Sequence, residues 1–241
     1  MIVLTSWDDG HPLDMRIATL LSKYRLAGTF YVPIRNSEGY PVLSPLELRQ
    51  LASEFEIGGH SLDHVRLTKL SRNEIVRQVA DGKRELEQLT GGPVAGFCYP
   101  GGKLNHCVSG IVRSAGFEYA RTTENFRCDM AGSEFCLPTT IQLYRHPKST
   151  LFRNFALKGN WMSRYPTFFI AQREDSLVAR ISAISEHVAH NNGILHVWGH
   201  SWEIDKHGLW TDLELIFKVL SSFEPTTMTV LDCFRTKRNV S

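Results

Sequence analysis

Met1-Ile2-Val3-Leu4-Thr5-Ser6-Trp7-Asp8-Asp9-Gly10 is an apolar run that stops abruptly on two acids and a glycine. It predicts a buried strand over Met1 to Trp7 that ends at a functional turn. Downstream, short apolar runs alternate with amphipathic stretches, the pattern of an α/β protein. Leu13 to Tyr24 reads as a helix, and Gly28 to Val32 as a second strand stopped by Pro33. Ser44-Pro45-Leu46-Glu47 predicts a capped helix running to about Phe55. Glu56 to His60 reads as a strand, Ser71-Arg72-Asn73-Glu74 as a second capping box, and Gly91-Gly92-Pro93 as the end of that helix.

Strands are then expected at Val94–Tyr99, Glu118–Thr122, Gly193–Trp198 and Thr227–Leu231. Helices are expected near Asn105–Ala115, Leu177–His190 and Leu213–Ser222. Phe126 to about Pro166 has no clear period and reads as loops over a site. Seven or eight β-α units in one domain, residues 1–241, imply a barrel or a distorted barrel, with an open doubly wound sheet as the alternative. In either architecture the chemistry belongs at the C-terminal ends of strands. Asp8-Asp9, His60, Pro100-Gly101 and His200 all follow expected strands.

The bulk numbers narrow the function. The chain has 241 residues, 42% hydrophobic and 22% charged, an ordinary globular composition. A net charge of +2 without a Lys/Arg block gives no nucleic-acid footprint. No apolar run reaches the length of a transmembrane helix. The first residues lack the basic and apolar regions of a signal peptide, so a cytoplasmic location is expected. Cys98, Cys107, Cys128, Cys136 and Cys233 are odd in number without CxxC spacing, and read as reduced thiols rather than a cysteine zinc site.

Asp8 and Asp9, His60 and His64, and His200 together form a metal-hydrolase constellation. One carboxylate and two imidazoles are a common ligand set for a divalent ion with an open position. A spare carboxylate and imidazole then provide a base and an acid. Asp8 and Asp9 point in different directions, because side chains alternate along a strand, so they can take different jobs. Asp-Asp-Gly alone also fits a solvated turn or a helix cap. His60 and His64 are four residues apart and share one face if they lie on a helical turn. His196, Trp198 and His200 alternate on one strand face. His200 at the strand end is the expected catalytic group, and His196 a buried core histidine.

Thr5-Ser6-Trp7-Asp8-Asp9-Gly10 resembles the T-F-D-D-G motif of polysaccharide deacetylases, the chitooligosaccharide deacetylase homology domain. Gly59-His60-Ser61-Leu62-Asp63-His64 matches that family's H-S/T-x-x-H motif. Phe97-Cys98-Tyr99-Pro100-Gly101-Gly102 is similar to its R-x-P-x-G motif, and Ile194 to His200 to its final L-x-H strand. The resemblance implies a distorted (β/α)₇ barrel that removes acetyl groups from sugars with zinc or a similar divalent ion. It implies Asp9, His60 and His64 as metal ligands, Asp8 as general base and His200 as the acid for the leaving amine. It places an oxyanion-binding backbone N–H near Gly101.

Two positions depart from the family. Cys98 stands where an Arg normally pairs with the base, and Arg121 on a neighbouring strand is the expected replacement. His11 stands where Pro usually follows D-D-G. Tyr99, Trp161, Trp198, Trp202 and Trp210 are candidate sugar-stacking aromatics. Trp202 is the best placed, with Ser201, Glu203 and Asp205 on the same expected loop. Tyr99, Gly101, Arg121 and Trp202 form the expected substrate-binding set. The expected substrate is an N-acetylated sugar or glycan precursor. A small non-sugar amide or imide is the alternative, and a non-catalytic carbohydrate-binding relic a third. Zinc is the default metal, though iron, cobalt or nickel also suits two nitrogens and a carboxylate. Oligomeric state is not legible.

Overall fold

The computed structural model describes residues 1–239. Eight strands, β1 (Ile2–Asp8), β2 (Thr29–Val32), β3 (Glu56–Gly59), β4 (Gly96–Cys98), β5 (Tyr119–Arg121), β6 (Ile141–Gln142), β7 (Ile194–Gly199) and β8 (Thr226–Thr227), form one sheet. All its pairings are parallel. Seven strands follow the path β5-β4-β3-β2-β1-β7-β6, and β8 pairs with β1 at Ile2 and Val3. β1 is buried from Val3 onward, which explains its apolar run: it lies at the centre, flanked by β2 and β7.

The two ends of the path are drawn together by one stretch of chain. Leu137 bridges to Arg121 beside β5, and three residues later Thr140 N–H donates to His196 O, 2.9 Å, beside β7. The result is the distorted barrel the sequence implies, a curved parallel sheet surrounded by helices.

The helices are α1 (Asp14–Lys23), α2 (Pro45–Ala52), α3 (Arg72–Thr90), α4 (His106–Ser114), α5 (Lys148–Leu157), α6 (Trp161–Arg173), α7 (Leu177–His190), α8 (Ser201–Lys206), α9 (Trp210–Ser222) and α10 (Val230–Arg238). Ser44 and Glu47 form the expected reciprocal capping box of α2. Ser71 caps α3, but Glu74 turns to Arg77 and Gln78 instead of reaching back. Gly91, in the left-handed region, ends α3.

Three expectations are corrected. The stretch read as loops from Phe126 to Pro166 contains β6, α5 and the start of α6. The expected last strand is only Thr226–Thr227, after which α10 starts at Val230, capped by Thr229. The expected loop after His200 is the short helix α8.

Candidate metal centre and catalytic pocket

At the end of β1 the backbone turns sharply. Asp9 has φ 78° and Gly10 φ 58°. A Cβ on Gly10 would lie 2.6 Å from Val32 Cγ1, so this left-handed turn against β2 requires glycine. The turn separates the two acids. Asp8 faces inward toward β4 and β5, and Asp9 faces the histidines.

His60 follows β3. The expected helical turn between His60 and His64 is absent: Ser61 and His64 have φ 66° and 52°, and the loop closes through these left-handed residues. α3 holds it in place. Leu62 N–H donates to Gln78 O, 2.8 Å, Asp63 N–H donates to Gln78 Oε1, 3.0 Å, and Gln78 Nε2 donates to Asp63 Oδ2, 2.6 Å. At Gly82 the helix touches the loop backbone, and a Cβ there would be 2.9 Å from Leu62 N.

The loop brings His60 Nε2 to 3.4 Å and His64 Nε2 to 3.1 Å from Asp9 Oδ1. Tetrahedral coordination at zinc-like bond lengths separates ligand atoms by about 3.3 Å, so these three side chains fit one ion. Their orientation is fixed from behind. His60 Nδ1 is 2.8 Å from Cys98 O, which leaves Nε2 as the ligand nitrogen. Trp202 Nε1 donates to Asp9 Oδ2, 2.8 Å, turning Oδ1 toward the imidazoles. Burial by itself would raise Asp9, but the hydrogen bonds of His60 and His64 hold its carboxyl below the usual range. A second grouping, Asp8 with His60 and Cys98, is a poorer donor set, because burial pushes the Cys98 thiol well above its ordinary value.

Arg121 lies directly across the β4–β5 pair from Cys98. Its Nη2 forms a fully buried ion pair with Asp8 Oδ1, and Cys98 Sγ approaches Asp8 Oδ2 at 3.6 Å. Arg121 does not line the pocket; it lies beneath Asp8, so it is not part of a substrate-contacting surface.

His200 follows β7, with Nε2 3.9 Å from Asp9 Oδ2 and Nδ1 2.5 Å from Glu203 Oε2. Burial would lower its pKa, but the Glu203 contact and the charge of Asp9 raise it to about 9. Gln142 Nε2 donates to the same Glu203 oxygen, 3.1 Å. His196, four residues back on β7, is buried and bonded to Ser6 Oγ, 2.9 Å, as expected of a core histidine.

These groups open into a cavity of about 620 Å³. Tyr99, Gly101, Trp198 and Trp202 line it, whereas Trp161 and Trp210 do not. Tyr99 is held by its hydroxyl, which donates to Phe135 O, and Trp202 stacks on Tyr40. Ser201 and Asp205 are turned elsewhere, to Asp14 and Trp210. His11 Nδ1 accepts from Leu13 N–H at the start of α1 and stays out of the cavity. The sequence reading missed Glu203 as the partner of His200 and Asn125, Gln142, Arg66, Lys103 and Lys158 as wall residues. The only signal for Glu203 was its i+3 spacing from His200.

The family model described as polysaccharide deacetylase matches residues 1–120, which include both Asp8-Asp9 and the histidine loop. The chain belongs to this family. A peptidoglycan-N-acetylglucosamine deacetylase of Bacillus cereus is 27% identical over 121 residues, 48% of this chain and 54% of that protein. The chain thus spans about half the length of this curated relative. The chitin deacetylase of Colletotrichum lindemuthianum shares the fold with a TM-score of 0.62 at 13% identity, over 96% of this chain and 86% of that one. A family 4 acetyl xylan esterase from Clostridium thermocellum, solved with a cobalt ion, gives 0.60 at 17% identity, over 98% and 92%.

Proposed function

We propose that this deacetylase-family chain hydrolyses the acetamide of an N-acetylated sugar at the Asp9–His60–His64 centre. The observation that carries the reading is the division of labour between the adjacent acids. Asp9 Oδ1 faces two imidazole nitrogens, while Asp8 is held by Arg121 and Cys98. Asp9, His60 and His64 would hold a divalent ion, which when bound would polarise the acetyl carbonyl and lower the pKa of a water.

Asp8 takes the proton from the attacking water as the water oxygen adds to the carbonyl carbon. Arg121 and Cys98 each hold one of its carboxylate oxygens, so the base keeps its direction without a flexible side chain. When the C–N bond breaks, the leaving nitrogen needs a proton, because an amide anion is a very poor leaving group. His200 Nε2 faces the centre and gives that proton, while Glu203 fixes Nδ1–H and supports the imidazolium. Acetate and the free amine leave through the open cavity. Trp198 and Trp202 offer apolar faces to the pyranose ring, and Asn125 and Gln142 offer polar groups to its hydroxyls.

The test is acetate release from a panel of soluble N-acetyl sugars by the metal-loaded chain, with N-acetyl amides that carry no sugar alongside. Release from the sugars alone is expected. Release from the amides alone would replace the sugar assignment, and none from either would remove the reading.

A further inference from the structure

α6 is built inside out. Its buried residues at helical spacing are Arg164, Thr167, Phe168 and Ala171, while Trp161, Met162, Tyr165 and Phe169 face outward. Arg164 is wholly buried, and its guanidinium donates to the carbonyls of Asn154, Phe155 and Gly159, and to Asn125 O. It clamps the end of α5 against the start of α6. With the polar anchor inside, the large apolar side chains are left in water. Met162 is 94% exposed, Leu157 75%, Phe152 60% and Trp161 59%. They lie on two helices that pack together, with Tyr165 stacked on Phe169, and grouped apolar exposure of this kind marks an interaction surface.

The charge of the same stretch says what kind. Residues 135–173 contain six Lys or Arg and no Asp or Glu, whereas the whole chain carries only +2, so the remainder is net negative. Arg145 and Lys148 are paired with Asp212 and Asp175, and Arg164 is buried. Arg153, Lys158 and Arg173 have no ion-pair partner among the described residues, and Arg173 lies over the Phe169 ring. An aromatic and aliphatic face bordered by unpaired cations is complementary to an anionic bilayer surface, the cations to its headgroups and the apolar side chains to the layer beneath. The face is continuous with the catalytic cavity, because Leu157 and Lys158 line its wall, and Arg66 and Lys103 add two more cations there.

We propose that the α5–α6 hairpin docks this protein on a membrane surface bearing anionic lipid headgroups, with the cavity mouth at the interface. Docking itself stands on the hairpin alone. Its use, bringing an acetylated sugar on an anionic lipid carrier to the cavity, rests on the function proposed above.

The test is co-sedimentation of the metal-loaded chain with phosphatidylcholine vesicles containing about one-third phosphatidylglycerol. Low salt and about 0.5 M salt are compared, beside pure phosphatidylcholine vesicles. The wild type is expected to pellet with the anionic vesicles, and less so at high salt. The doubly substituted Met162→Asp, Tyr165→Asp chain should bind about tenfold or more weakly. Its circular dichroism and acetate release from a soluble N-acetyl sugar should match the wild type. Wild type left in the supernatant, or equal binding by the variant, overturns the proposal. So does binding to neutral vesicles as tight as to anionic ones. A dimer that the variant converts to monomer, without vesicle binding, would assign the face to a second copy instead. Vesicle binding without acetate release would leave docking standing and remove the enzymatic reading.

Discussion

Asp8 and Asp9 are neighbours in sequence and strangers in environment, and the left-handed turn at Asp9 and Gly10 makes them so. The consequence for Arg121 is direct. Arg121→Ala strips the buried partner from Asp8 and leaves a carboxylate facing an apolar void, so turnover should fall by about a hundredfold or more. Metal content, which the proposed function assigns to Asp9, His60 and His64, should stay near the wild-type value. Equal turnover in steady-state assays would sink the pairing as a functional one. Glu203→Gln keeps the shape beside His200 but removes its anionic acceptor. It should lower kcat by about tenfold or more with little change in KM. An unchanged kcat would leave Glu203 a purely structural neighbour.

At the scale of elements, α3 is the splint of the histidine loop. Gly82→Ala sets two effects against each other. Alanine improves a helix interior by about 1 kcal/mol, but the new Cβ meets Leu62 N at 2.9 Å, a contact with backbone that cannot rotate away. Overpacking of this kind costs about 1–3 kcal/mol, so the variant should melt lower and hold metal more weakly. A raised melting temperature with unchanged metal affinity would show that the loop yields freely. The same elements show what sequence makes legible. β1, β7 and the caps of α2 and α3 were readable because their burial is written in consecutive or periodic apolar residues. α6 was not, because its inward face carries Arg164 and Thr167 and its outward face Trp161 and Met162, which reverses the periodic signal. The Cys98 departure was legible, and Arg121 reaches Asp8 because β4 and β5 pair in register. Arg121's burial was not legible, since only the barrel's closure by Leu137 and Thr140 places it beneath the pocket.

Across the whole molecule, the barrel interior stays neutral where it can. His196 is pushed down to about 3, first by burial and then by the charge of Arg121. Its folded pKa is thus below its unfolded value of 6.5. The unfolded chain binds the extra proton between those values, so this contribution to stability is complete above about 6.5 and lost as pH falls toward 3. Chemical unfolding of metal-free protein should show stability declining over that window, by up to about 1.4 kcal/mol per pH unit from this one group. In His196→Gln that part of the slope should vanish. An identical slope would assign the acid sensitivity elsewhere.

The proposed function rests on one arrangement: the end of β1 brings Asp8 and Asp9, the end of β3 the histidine loop and the end of β7 His200 to the same cavity. The direct test is metal content and acetate release measured together on wild type, Asp8→Asn and Asp9→Asn. The predicted result is about one metal per chain in wild type and Asp8→Asn, acetate release in wild type only, and loss of both from Asp9→Asn. Metal lost from Asp8→Asn but retained by Asp9→Asn would contradict the account, because the two acids would then have exchanged roles.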